Sequence, residues 1–143
     1  MNIQVRVIPV ISFAISLWFL LGSFAASADD IRTERVQFKQ GASSATVEGS
    51  IKGYQIVDYV LNAKEGQQMN VSMVTQNTSA YFNILAPGEN EAAMFIGSVN
   101  GNQYEGQLPA SGDYKVRVYM MRAAARRDEV ADYRLEMNIA PDN

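Results

Sequence analysis

The sequence predicts an all-β protein: an antiparallel β-sandwich of about seven to eight short strands in a single domain. Three observations carry that expectation. Apolar and polar residues alternate with a period of two in segment after segment, most cleanly where Tyr133, Leu135, Met137 and Ile139 oppose Arg134, Glu136 and Asn138, the pattern of a strand with one buried face. Gly, Pro and Asn signals break the chain at short intervals, and no stretch carries a convincing amphipathic helical period. Cysteine is absent, so packing alone must hold the fold, which favours a closed two-layer core over a stapled, loop-rich scaffold.

The first 28 residues read as an export signal rather than as part of that fold. Arg6 supplies the positive n-region, an apolar run follows from Val7 to Leu21, and Ala26-Ser27-Ala28 offers an Ala-x-Ala cleavage site before Asp29. The apolar run contains Pro9 and falls short of the roughly 20 residues that span a bilayer. With no cysteine after the site, a lipid anchor is not expected. The mature chain, residues 29–143, is therefore expected to be soluble in the periplasm, with no membrane association. It is 115 residues long and carries 11 Lys+Arg against 15 Asp+Glu. A net charge of −4 argues against nucleic acid as a partner, which would want a basic footprint, and suits encounter with a cationic protein.

Along the mature chain, Asp29 to Lys39 reads as a first, edge strand and Gly41 to Ser44 as a turn. Ala45 to Ile51 places Thr46, Glu48 and Ser50 opposite Val47 and Ile51, and Lys52-Gly53 turns the chain. Tyr54 to Ala63 is a longer strand. Lys64 to Gln67, with Gly66 just before the return, predicts a hairpin into a strand from Gln68 to Thr75. After a polar turn, Tyr81 to Leu85 is a fifth strand, stopped by Pro87-Gly88. Residues 89–107 are the least regular part, with a possible strand at Ala93 to Val99 and a turn at Asn100-Gly101-Asn102. Ser111-Gly112 then favours a tight turn into a strand where Tyr114, Val116 and Val118 alternate with Lys115, Arg117 and Tyr119. That strand and the last one, Asp132 to Ile139, have the strongest patterns and are expected side by side in the core. Between them lies Arg122-Ala-Ala-Ala-Arg126-Arg127; if it takes a helical turn, Arg122 and Arg126 fall on one side.

The residue types exclude much chemistry. Histidine is absent along with cysteine, which removes the usual general base, the thiol nucleophile and nearly all zinc or copper sites. No calcium-loop run of alternating carboxylates occurs, and the acidic residues fall mostly in turns and on solvent faces. Neither an enzyme nor a metal or other cofactor is expected.

The mature chain resembles the periplasmic inhibitors of goose-type (g-type) lysozyme. The likeness runs from Val36-Gln-Phe-Lys-Gln-Gly-x-Ser-Ser-Ala through Ile51-Lys-Gly-Tyr54 and Ala63-Lys-x-Gly-Gln67 to Leu108-Pro-Ala-Ser-Gly-x-Tyr114. It continues with Arg117-Val118, Arg122-x-x-Ala-Arg126 and the Tyr133-to-Ile139 strand. The resemblance implies that loops enter the lysozyme's substrate cleft, and it points to Tyr54, Ser111, Gly112, Tyr114, Arg122 and Arg126 as lysozyme-binding residues. Their chemistry suits that role: a guanidinium meets an acidic cleft bidentately, a serine hydroxyl can donate to the same acid, and Tyr and Arg dominate interface energies. Tyr114 is in phase with Val116 and Val118, so burial in the core is its other reading. The rival function is a carbohydrate- or peptidoglycan-binding sandwich module, but the single tryptophan, Trp18, lies in the export signal.

Overall fold

The computed structural model describes residues 31–141, so the expected signal segment 1–28 and its cleavage point lie outside the described residues. Nine strands form two sheets: β1 (Ile31–Arg35), β2 (Ser44–Lys52), β3 (Ile56–Ala63), β4 (Gln68–Thr75), β5 (Ala80–Leu85), β6 (Phe95–Ile96), β7 (Gln103–Gln107), β8 (Gly112–Met120) and β9 (Val130–Ala140). One sheet has the order β1-β3-β8-β5-β6 and the other β2-β9-β4-β7. Every pairing is antiparallel except β1 with β3. The sandwich is the expected one. β1 is an edge strand, as expected, but it ends at Arg35, so residues 36–39 of the expected strand lie outside it.

Alternation in each strand sets the core. Val57, Tyr59 and Leu61 of β3 and Tyr114, Val116 and Val118 of β8 face Leu135, Met137 and Tyr133 of β9 and Met69 and Val71 of β4 across the layer gap, and all are buried. The Tyr59 and Tyr133 hydroxyls meet across this gap at 2.7 Å, which satisfies two polar atoms that burial would otherwise leave unpaired.

Two expected neighbourhoods are corrected. β8 and β9 lie in opposite sheets, not side by side. The Lys64–Gln67 turn joins β3 in one sheet to β4 in the other, so it is a crossing between layers and not a hairpin. Among the described residues only β5 and β6 are consecutive strands within one sheet. The possible strand at Ala93 to Val99 shrinks to two residues, followed by a helical turn, α1 (Gly97–Asn100). Gly97 explains this: a Cβ there would sit 2.3 Å from the Phe82 carbonyl oxygen, so the chain hugs β5 where a side chain would have held it off.

The alternating crossings sort the loops into two ends. At one end lie 52–55, 76–79 and the helical turn α2 (Arg122–Arg126); at the other lie 64–67 and 108–111.

Candidate functional site

β8 runs out into α2, a five-residue helical turn rich in alanine, a strong helix former. Ala124 and Ala125 are buried in the core, and only small side chains let the helix sit this close to the sheets. With that face fixed, Arg122 and Arg126, four residues apart, share the exposed side. The Met121 N–H donates to the Ser79 carbonyl at 2.9 Å and its carbonyl accepts from Ala125 at 2.9 Å. Asn77 pins the exit of the turn, donating to Glu129 Oε1 and to the Val130 carbonyl at 3.2 Å each. Arg127 is drawn aside to Glu129, with Nε at 2.8 Å from Oε2. Arg122 and Arg126 have no ion-pair partner among the described residues.

Tyr54 comes to the same place from the β2–β3 turn. Gly53 has φ +59°, donates its N–H to the Glu129 carbonyl at 3.0 Å, and would bring a Cβ to 2.9 Å from Asp128 Oδ1. Only glycine meets both conditions, so the turn lies against the loop that leaves α2. Tyr54 follows, 48% exposed. Tyr54, Arg122 and Arg126 rim a groove of about 510 Å³ whose other walls include Ile56, Arg117 and Tyr119. These three of the six expected site residues are brought together.

The other three are not part of that groove. Ser111 precedes β8 and Arg122 follows it, so nine residues of strand, about 30 Å of rise, separate them. The single plug expected to carry both loops is therefore corrected: they stand at opposite ends of the sandwich. The Ser111 Oγ accepts the Glu65 N–H at 2.8 Å and ties the two turns of the far end together. Gly112 has φ +141° and packs where a Cβ would come within 2.8 Å of Pro87. Tyr114 is fully buried; its hydroxyl donates to the Ala110 carbonyl at 2.6 Å and accepts the Ala110 N–H at 3.2 Å. Its phase with Val116 and Val118 decided the matter: the ring belongs to the core and the hydroxyl clamps the turn.

Arg117 and Asp58 were not singled out as site residues by the sequence. They lie opposite each other on β8 and β3, and Arg117 Nε and Nη2 reach Asp58 Oδ1 and Oδ2 at 2.7 and 2.8 Å. This fork holds the Arg117 guanidinium above its ordinary pKa, against the opposing effect of burial. The signal available was a charged residue out of phase with apolar neighbours in each of two strong strands. A larger, shallower depression of about 1040 Å³ on the other sheet is lined by Glu48, Glu129, Asp132 and Arg134 among others, and it contains none of the expected residues. No carboxylate cluster fit to hold a metal occurs among the described residues.

No family model matches the chain. A curated inhibitor of g-type lysozyme from Escherichia coli strain K12 is 34% identical over 119 residues, 82% of this chain and 85% of the relative. The crystal structure of a periplasmic inhibitor of g-type lysozyme from Aeromonas hydrophila matches with TM-score 0.72 and 43% identity, covering 78% of this chain and 99% of that one. Its counterpart from Salmonella Typhimurium matches with TM-score 0.59 and 32% identity over 76% of this chain and 97% of the other. With sequence and structure both alike over most of each chain, the chain belongs to the family of g-type lysozyme inhibitors.

Proposed function

We propose that this protein inhibits g-type lysozyme in the periplasm by seating the Tyr54–Arg122–Arg126 end of the sandwich in the enzyme's substrate cleft. The observation that supports this most is the convergence of two exposed guanidinium groups, free of ion-pair partners among the described residues, with a half-exposed tyrosine on one groove. A cleft that cleaves glycosidic bonds works with carboxyl groups, and an arginine fork recognises a carboxylate bidentately. Occupying that acid excludes the substrate without any chemistry by the inhibitor.

Rigidity is the protein's contribution. Ala124 and Ala125 lock α2 to the core and Gly53 locks the Tyr54 turn to α2, so little ordering entropy is lost on docking. A standard interface of about 800 Å² per partner suffices for tight binding. The export segment read at residues 1–28 agrees with this address.

The test is lysis of a bacterial cell suspension by g-type lysozyme with and without the mature protein, joined to amide exchange in the complex. Lysis should be suppressed at stoichiometric inhibitor, with new protection at residues 53–55 and 121–127. Protection confined to residues 109–113 would refute the assignment of the docking end.

A further inference from the structure

We propose that Arg117, which is clamped by Asp58 and lines the groove, is a third lysozyme-contacting arginine that donates to an uncharged acceptor of the docked enzyme, a backbone carbonyl or a side-chain amide. The inference rests on the docking reading above and adds to it a residue of a different electrostatic kind.

Asp58 is 3% exposed and is the one buried charged residue among the described residues. Burying an ion pair gives little net stability compared with apolar residues of similar volume, so the fold by itself supplies weak reason for this one. Arg117 lines the groove that Tyr54, Arg122 and Arg126 rim, and its side chain retains 18% exposure. A guanidinium carries five N–H donors. Asp58 takes two through Nε and Nη2, and the Asn90 carbonyl takes a third from Nη1 at 3.0 Å. One donor on each terminal nitrogen remains, in a plane fixed from three directions. Because Asp58 already balances the charge, a second carboxylate would gain little there, whereas a neutral carbonyl gains a preorganised donor. Ile56 and Tyr119 line the same groove and help exclude water once it is covered, as the surroundings of a hot spot do. Arg122 and Arg126 thus meet the acidic groups, and Arg117 reads the neutral backbone beneath them.

Binding kinetics of Arg117→Lys test this, because lysine keeps the charge facing Asp58 and loses the planar fork. The dissociation rate should rise about 10- to 100-fold, with the association rate and its salt dependence unchanged. The Arg122→Ala/Arg126→Ala variant should instead flatten that salt dependence. On the unaltered protein, the Arg117 side-chain NMR signals should shift and exchange more slowly on saturation with lysozyme, which decides the matter even if Arg117→Lys fails to fold. A folded Arg117→Lys that dissociates like the parent, or Arg117 signals indifferent to lysozyme, overturns the inference. If the Arg122/Arg126 variant also binds normally, the docking reading fails as a whole.

Discussion

Truncating Arg122 and Arg126 together, and Ser111 separately, should produce opposite phenotypes. Both arginines are exposed, and neither has an ion-pair partner among the described residues, so their loss should leave stability within about 0.5 kcal/mol of the parent. In the complex each contributes a charge-assisted contact of about 1–3 kcal/mol. Summed, the double variant should lose about 2–6 kcal/mol of binding, with coupling between neighbours on one helical turn moving the loss within that range. Since 1.4 kcal/mol is a factor of ten, inhibition weakens at least about 30-fold. Ser111→Ala removes one hydrogen bond, to the Glu65 N–H, at an exposed turn that water can reach. It should cost about 0.5–1.5 kcal/mol of stability, a fall in Tm of about 4 °C for a domain of this size, with inhibition intact. Thermal melts and titrations of lysozyme-driven cell lysis measure both quantities on the same samples. If Ser111→Ala weakens inhibition as much as the arginine pair, or the arginine pair inhibits like the parent, the assignment of the docking end is wrong.

Three further outcomes follow from the packing. Gly53→Ala forces a side chain into φ +59° and against Asp128, which should cost about 1–2 kcal/mol and weaken inhibition by tilting Tyr54 off α2; an unchanged melt and inhibition curve would contradict it. Gly49→Ala would place a Cβ 2.5 Å from the Tyr133 hydroxyl and 2.9 Å from that of Tyr59, breaking their pairing; unfolding titrations should show a loss of about 1–3 kcal/mol, with inhibition by the folded fraction preserved. Burial raises the pKa of both Tyr59 and Tyr133, so the unfolded chain ionises first as pH rises. Their stabilisation is complete below about pH 10, the unfolded tyrosine pKa, and falls as pH rises above it. Denaturant titrations from pH 8 to 12 check this, and a flat profile would rule it out.

Local pattern carried the sheet content and the inward faces. Val116, Val118, Leu135 and Met137 announce their burial by alternation alone, and the structure buries all four. The helical spacing of Arg122 and Arg126 was likewise open to reading, because i,i+4 geometry is a property of the segment itself. Turn signals were less informative. Gly66 marks a reversal whether the next strand returns in the same sheet or crosses to the other, so a hairpin and a layer crossing look alike. The positive φ of Gly53 and Gly112 is a local trait, but the Asp128 and Pro87 atoms that exclude a Cβ at each come from distant parts of the chain.

The chain's own residues thus determined a cysteine-free two-layer β core, the phase that Tyr114 shares with Val116 and Val118, and a cluster of arginines on an alanine turn. Which loops share an end was decided only in three dimensions. Each strand is short, but β8 spans the whole sandwich, so residues that flank it in sequence stand about 30 Å apart, while Tyr54, far away along the chain, arrives beside Arg122 and Arg126. Alternation reports which way a side chain faces and is blind to which strands are neighbours. Pairing across the sheets supplied that missing information, and with it the groove.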